Sequence, residues 1–138
     1  MSTALSAHAV LPTVKSLRAT ARSASARHEP LVVMTTLKGC VYCDLVRDHH
    51  LGPMQRAGEV VAIQVDIQDR TGVLQDFDGS TRSPAEMSRL WKARFAPTVL
   101  FFGPDGQELA ERLVGVAVPD FYGEYLLGRL QQARSQLK

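Results

Sequence analysis

Cys40 and Cys43 are the only 2 cysteines of the chain, and they stand two residues apart as Cys40-Val41-Tyr42-Cys43. Thiols at that spacing can close into a small disulfide ring and reopen, which is what a dithiol redox catalyst must do. The surrounding pattern puts the pair where a strand turns into a helix. Leu31-Val32-Val33-Met34-Thr35-Thr36 is a short apolar run with β-branched residues, the mark of a buried strand, and Lys38-Gly39 leads from it into Cys40. The helix then continues through Leu45 and Val46 towards His50, where Gly52-Pro53 is expected to end or kink it. At a helix start, unpaired backbone N–H groups and the positive end of the dipole stabilise a thiolate, lowering the first cysteine below its free value of ~8.5. Cys40 is thereby the candidate attacking sulfur, and Cys43, one turn deeper, the candidate resolving sulfur. Lys38 is a candidate for an added positive charge, against the plainer reading of a solvated lysine.

Two other roles for such a pair have to be weighed. A structural zinc site normally needs four ligands, usually with a second pair of Cys or His. No second pair is present here, and His49 and His50 lie six and seven residues beyond Cys43. On a continuous helix that is ~9 to 10 Å along the axis, too far for one metal to be shared. No metal is therefore expected, and both histidines read as exposed helix-end residues that suit the C-terminal dipole. An inert structural disulfide is the other alternative. So small a loop restricts the unfolded chain little, which leaves redox exchange as the favoured role.

The elements around the pair follow from periodicity. Val14, Leu17, Ala21 and Ala24 recur at helical spacing between Pro12 and Arg27, with Pro12 suited to the first turn. Val60 to Ile67 reads as a second buried strand, and Gln68 to Ser83 as an elaborated surface loop. Ser83-Pro84-Ala85-Glu86 combines a Ser cap, Pro at the first helical position and Glu at the third, a strong helix start. Met87, Leu90, Trp91 and Arg94 would share one face of that helix, with Trp91 in the core or at a groove edge. Thr98 to Phe102 and Glu108 to Val114 flank Gly103-Pro104-Asp105-Gly106, a turn between antiparallel strands. Pro119 opens a last helix with Tyr122, Tyr125, Leu126, Leu130, Ala133 and Leu137 at helical spacing, the aromatics facing the core.

Composition bounds the partners. The 138 residues fit one domain, and a hydrophobic content of 45% suits a globular core. Lys and Arg number 16 against 14 Asp and Glu, a balance that points to no nucleic acid and no acidic membrane. The basic residues Lys15, Arg18, Arg22 and Arg27 precede the first acid, so the first helix is either a solvated basic face or a docking surface. No run approaches the roughly 18 apolar residues of a membrane span. Ala7-His8-Ala9 looks like a signal-cleavage tripeptide, a hint that an export signal has been trimmed.

With these residues placed, the chain resembles the thioredoxin superfamily, and within it the exported SoxW-like thioredoxins. The resemblance runs from Leu31 to Leu130 and rests on Leu31-Val32-Val33-Met34, on Gly39-Cys40-Val41-Tyr42-Cys43, and on Phe95-Ala96-Pro97-Thr98-Val99-Leu100-Phe101-Phe102 with Gly106 and Gly115. It implies an α/β three-layer fold: a central mixed four-stranded sheet flanked by helices, with an extra N-terminal helix, residues 1–11 forming a tail and 12–138 the domain. It also implies that the bond before Pro97 is cis and lies beside the cysteines. The substrate groove would then comprise Val41, Tyr42, Ala96 and Pro97. The implied activity is a periplasmic disulfide reductase, with the cytoplasm as the alternative location. It would act as a monomer on protein or small-molecule disulfides, be recharged by an upstream dithiol reductant, and need no cofactor beyond the Cys40-Cys43 disulfide.

The chain also departs from that pattern. Familiar thioredoxins carry Trp before the first cysteine and Gly-Pro between the two, where this chain has Gly39 and Val41-Tyr42. Met34 stands where the resemblance expects a buried acid that relays protons to the second cysteine. Cys-Val-Tyr-Cys is similar to the Cys-Pro-Tyr-Cys of glutaredoxins, but the chain is long for that group and lacks the Gly-Gly turn expected after the proline strand. A disulfide-donating oxidase and a non-enzymatic docking module on the same fold remain open alternatives at this point.

Overall fold

The computed structural model describes residues 10–137, so Ala7-His8-Ala9 lies outside the described residues. A four-stranded sheet forms the middle layer. Its strands are β1 (Leu31–Thr36), β2 (Val61–Asp66), β5 (Thr98–Phe102) and β6 (Leu113–Val114), in the spatial order β2-β1-β5-β6. β1 runs parallel to β2, with Leu31 opposite Val61 and Thr36 opposite Asp66, and antiparallel to β5, with Leu31 opposite Phe102. β6 closes the far edge antiparallel to β5. The helices are α1 (Leu17–Ala26), α2 (Val41–Val46), α3 (Gly52–Arg56), α4 (Pro84–Leu90) and α5 (Tyr122–Ser135).

Strand alternation sorts the side chains into two cores. Val32, Met34, Ala62, Val99 and Phe101 pack with Cys43, Val46, Leu126 and Leu130, which belong to α2 and α5. Leu31, Val33, Ile63, Leu100 and Phe102 pack with Leu17, Ala21 and Met87, which belong to α1 and α4. Because successive strand residues face opposite sides, an unbroken apolar run is what a sheet covered on both faces requires. The three layers and the N-terminal helix are thus those the resemblance implies.

Several elements differ from the sequence reading. The first helix starts at Leu17 instead of near Pro12, because the Ser16 hydroxyl accepts the Ala19 N–H at 3.0 Å and caps it there. Leu11 and Pro12 lie along β2 instead: the Pro12 carbonyl accepts the Gln64 N–H and the Leu11 carbonyl accepts Gln64 Nε2, both at 2.9 Å. Leu11 itself is buried. Of the two outcomes expected at Gly52-Pro53, an end or a kink, the helix does not end: it is distorted into a π turn at Arg47–Leu51 and continues into α3. Pro53 has no N–H and its ring would crowd the preceding turn, and the wider turn, with the Gly52 N–H bonded to the Arg47 carbonyl, makes room for it. His49 and His50 consequently sit inside a helical run and not at its end.

The stretch read as a surface loop contains a small hairpin, β3 (Leu74–Gln75) with β4 (Thr81–Arg82). Phe77 at its tip lies 5.1 Å, ring to ring, from Phe102. Gly106 in the β5–β6 turn has φ +86 and faces Phe77 so closely that a Cβ would lie 2.7 Å from that ring. Both facts require glycine there. The strand after the turn is regular only at Leu113–Val114, with a single bridge between Phe102 and Glu108 before it. α4 starts with the Ser83–Glu86 capping box but ends at Leu90, so Met87 is buried, Trp91 stacks 5.1 Å from Phe102, and Leu90 and Arg94 are exposed. In the last helix Tyr122 is buried, whereas Tyr125 points outward.

His50 packs against Tyr122, with ring centroids 5.3 Å apart, in a cavity of about 370 Å³ also lined by His49, Asp120 and Glu124. Desolvation, and then the neighbouring His49, lowers the His50 pKa below its ordinary value. The unfolded chain then takes up the proton first as pH falls, so His50 contributes stability above the ordinary histidine pKa of ~6.5 and loses it below. Urea unfolding midpoints are expected to drop between about pH 7 and pH 5, and the drop should shrink in His50→Gln. An unchanged slope in that variant would remove His50 from the account.

Candidate active site

Cys40 is the N-cap of α2, in extended conformation, and is disulfide-bonded to Cys43 across a Cα–Cα distance of 5.2 Å. Its sulfur accepts the Cys43 N–H at 3.1 Å, one of the helix-start donors that would otherwise lack a partner. The two sulfurs are not equivalent. Cys40 is partly exposed, while Cys43 is fully buried in the core with Met34 and Val46. The turn into the site needs Gly39: its φ is +76, and the Cys40 N–H closes on the Leu37 carbonyl at 3.2 Å. A Trp at that position would be strained, so the departure at Gly39 reflects a different approach to the helix.

The start of α2 is held against the sheet by Arg47. Its Nη2 donates to Thr36 Oγ1 at 2.6 Å, its Nε to Gln64 Oε1 at 3.0 Å, and its Nη1 to Asp44 at 2.9 Å. These bonds join the helix to the ends of β1 and β2. Lys38 is exposed and lines a surface hollow together with Arg47 and Asp44.

Ala96 and Pro97 come to the cysteines from the segment that leads into β5, and Ala96 packs in the same core as Cys40 and Cys43. The peptide bond between them is cis, and the Ala96 carbonyl oxygen lies 3.5 Å from Cys40 Sγ. A neutral Cys40 thiol, formed on reduction, would be within donating distance of that oxygen. Pro97 is buried and Ala96 partly so, whereas Phe95, not singled out in the sequence, is 74% exposed. Val41 at 75% and Tyr42 at 48% exposure stand on the helix side, so apolar groups flank the sulfur on both sides. Such exposed apolar side chains offer a substrate chain a surface on which to lie.

Thr35 is the other residue the sequence did not reveal. Its hydroxyl donates to the Phe95 carbonyl at 2.9 Å and accepts the Thr98 N–H at 2.7 Å, while Thr98 Oγ1 donates to the same carbonyl at 2.7 Å. The only sequence signal is a threonine placed in a fully buried strand, where its hydroxyl must find a partner. Thr35→Val keeps the shape but leaves the buried Thr98 N–H unpartnered, at a cost of about 1–3 kcal/mol, and is expected to lower the melting temperature by roughly 3–10 °C. Thr35→Ser should restore most of it. A Thr35→Val melt equal to wild type would show that the bond holds nothing in place.

Among the described residues no cluster of His, Cys, Asp or Glu is arranged to hold a metal ion. A disulfide between two closely spaced cysteines at a helix start, on this three-layer sheet, defines the chain as a thiol-disulfide oxidoreductase. Residues 17–127 match the thioredoxin-like domain family, to which the chain belongs. No curated protein matches it in sequence. Among solved structures it is similar to thioredoxin NaTrxh from Nicotiana alata, at 15% identity and a TM-score of 0.56 over 94% of this chain and 99% of that one. Thioredoxin O2 from Arabidopsis thaliana in its oxidised state superposes at 19% identity and a TM-score of 0.55, covering 86% and 93%. Fasciola hepatica thioredoxin does so at 18% identity and a TM-score of 0.52, covering 84% and 99%. At these identities the likeness is one of fold.

Proposed function

We propose that the protein reduces disulfides of protein substrates through a mixed disulfide on Cys40. The observation that carries this reading is the asymmetry of the pair: a partly exposed sulfur at the helix cap and a fully buried one behind it. In the reduced protein, the Cys40 thiolate attacks one sulfur of the substrate disulfide and expels the other as a thiolate. Cys43 then loses its proton and attacks Cys40 Sγ, which releases the second substrate thiolate and regenerates the Cys40–Cys43 disulfide. Two electrons pass from the pair to the substrate, and an upstream dithiol returns them. Val41, Tyr42, Ala96 and Phe95 would hold the substrate chain across the sulfur, with Pro97 shaping the groove from beneath.

The expected result is that the protein, supplied with dithiothreitol, accelerates insulin reduction well above dithiothreitol alone. No acceleration would overturn the reading and leave a docking module. The resemblance to exported thioredoxins and the Ala7-His8-Ala9 tripeptide support a periplasmic site of action. Recovery of the protein in the cytoplasmic fraction of its host would count against that location.

A further inference from the structure

Beside the segment that leads into Pro97, three arginines from three separate parts of the chain converge on one cavity of about 480 Å³. Arg70 comes from the loop after β2, Arg89 from the last turn of α4, and Arg94 from the residues just before Phe95. All three are exposed, and among the described residues none of them is in an ion pair. Two acids beside them already accept backbone hydrogen bonds. Asp69 accepts the Thr71 and Gly72 N–H groups at 3.1 and 2.9 Å, and Glu86 accepts the Ser83 N–H at 2.9 Å in the capping box. Ser88, which also lines the cavity, spends its hydroxyl on the Ala93 carbonyl at 2.6 Å. Glu86 acts electrostatically on Arg89, but among the described residues no carboxylate comes within ion-pair distance of Arg70, Arg89 or Arg94, so three guanidinium groups face the cavity with at most one carboxylate offsetting them.

The cavity opens at the same end of the sheet as the cysteines. Ile67 in its wall donates its N–H to the carbonyl of Thr36, the last residue of β1 before the turn into Cys40. Arg94 precedes Ala96, whose carbonyl touches Cys40 Sγ, by two residues, so its Cα lies within about 7 Å of the Ala96 Cα. A substrate strand crossing the sulfur beside Ala96 would reach the arginines within a few residues, at about 3.3 Å per residue.

We infer that Arg70, Arg89 and Arg94 form a recognition pocket for acidic side chains carried by a protein substrate a few residues from its reactive cysteine. Guanidinium groups suit this task because they pair with carboxylates through two parallel hydrogen bonds. The inference rests on the exchange reading proposed above and adds a substrate class to it. The chain's net charge is only +2, so a preference for acid would have to come from this local cluster and not from the field of the whole molecule.

The test uses the reduced full chain and three synthetic peptides, each holding a cysteine in disulfide linkage to a chromogenic thiol and flanked by Glu, Gln or Lys pairs. The readout is the ratio of rates within each protein. Wild type is expected to favour the Glu over the Gln peptide by roughly tenfold at low ionic strength and to disfavour the Lys peptide, with the ratios falling towards one in ~0.5 M salt. The combined Arg70→Gln, Arg89→Gln and Arg94→Gln variant should lose the preference. A charge-matched control, Lys15→Gln with Arg22→Gln and Arg56→Gln, should keep it. Equal rates for the Glu and Gln peptides in wild type would overturn the pocket while leaving the exchange reading intact, as would a preference that survives the arginine variant. No reaction with the Gln peptide would instead bring down the exchange reading and the pocket with it.

Discussion

Replacing Cys40 with Ser is expected to bring insulin reduction down to the uncatalysed rate, a loss on the order of 10³-fold or more, as follows when a nucleophile is removed. The loss should be chemical and not structural. Ser is among the preferred helix N-caps, and its hydroxyl can accept the Cys43 N–H that now bonds the sulfur. The fold around the site therefore survives the change, which a thermal melt can check against the reduced wild type. Cys43 cannot take over, because it is fully buried beneath the helix start and no substrate sulfur can reach it in line. Retention of more than a few per cent of the rate in Cys40→Ser would contradict the assignment of the attacking sulfur.

The second large effect is expected from Cys43→Ser. Attack by Cys40 still proceeds, but nothing remains behind it to expel the substrate, so the mixed disulfide persists and intact-mass measurement should show nearly every molecule carrying one substrate adduct. Burying a hydroxyl among Met34 and Val46 costs about 1–3 kcal/mol, so Cys43→Ala serves as the companion variant with the same expected adduct. Met34 also bears on the speed of resolution in the unmodified protein. With an apolar residue where the resemblance expects a proton-accepting acid, the Cys43 proton must leave to solvent. The rate of mixed-disulfide resolution should then climb about tenfold per pH unit below the ordinary thiol pKa of ~8.5. A rate flat between about pH 6 and pH 8 would mean that some group of the protein takes the proton.

The parts of the fold that were legible in the sequence are those written in local patterns. The cysteine pair at a helix start, the Ser83–Glu86 capping box and the apolar runs of β1 and β5 each depend on residues within a few positions of one another, and each appears where it was expected. What periodicity missed depends on competition or distance. Pro12 looked like a helix start until Ser16, a better cap, took that role and freed Leu11 and Pro12 to line β2. Gly52-Pro53 was expected to end or kink the helix, and which of the two occurs was not legible because a π turn has no sequence signature of its own.

The candidate site divides in the same way. Cys40, Cys43, Val41 and Tyr42 are contiguous and were legible together. Ala96 and Pro97 came only through a resemblance. Thr35 and its carbonyl partner on Phe95 are 60 residues apart, and nothing local marks one for the other. Nothing in the sequence marks Arg70, Arg89 and Arg94 for one another, and only the packing of α4 against the end of β2 sets them round one cavity.

All of this turns on whether the Cys40–Cys43 bond is made to open. The most direct measurement is an equilibrium titration of the intact protein in dithiothreitol and glutathione redox buffers, with the thiols trapped by alkylation and counted by mass. The account predicts a single reversible two-electron transition above about −300 mV, and a midpoint near −270 mV if the pair works as the reductase proposed. A midpoint near −120 mV would keep the chemistry and reverse its direction. A pair that stays oxidised at potentials below about −300 mV would be a structural disulfide, and would contradict the account.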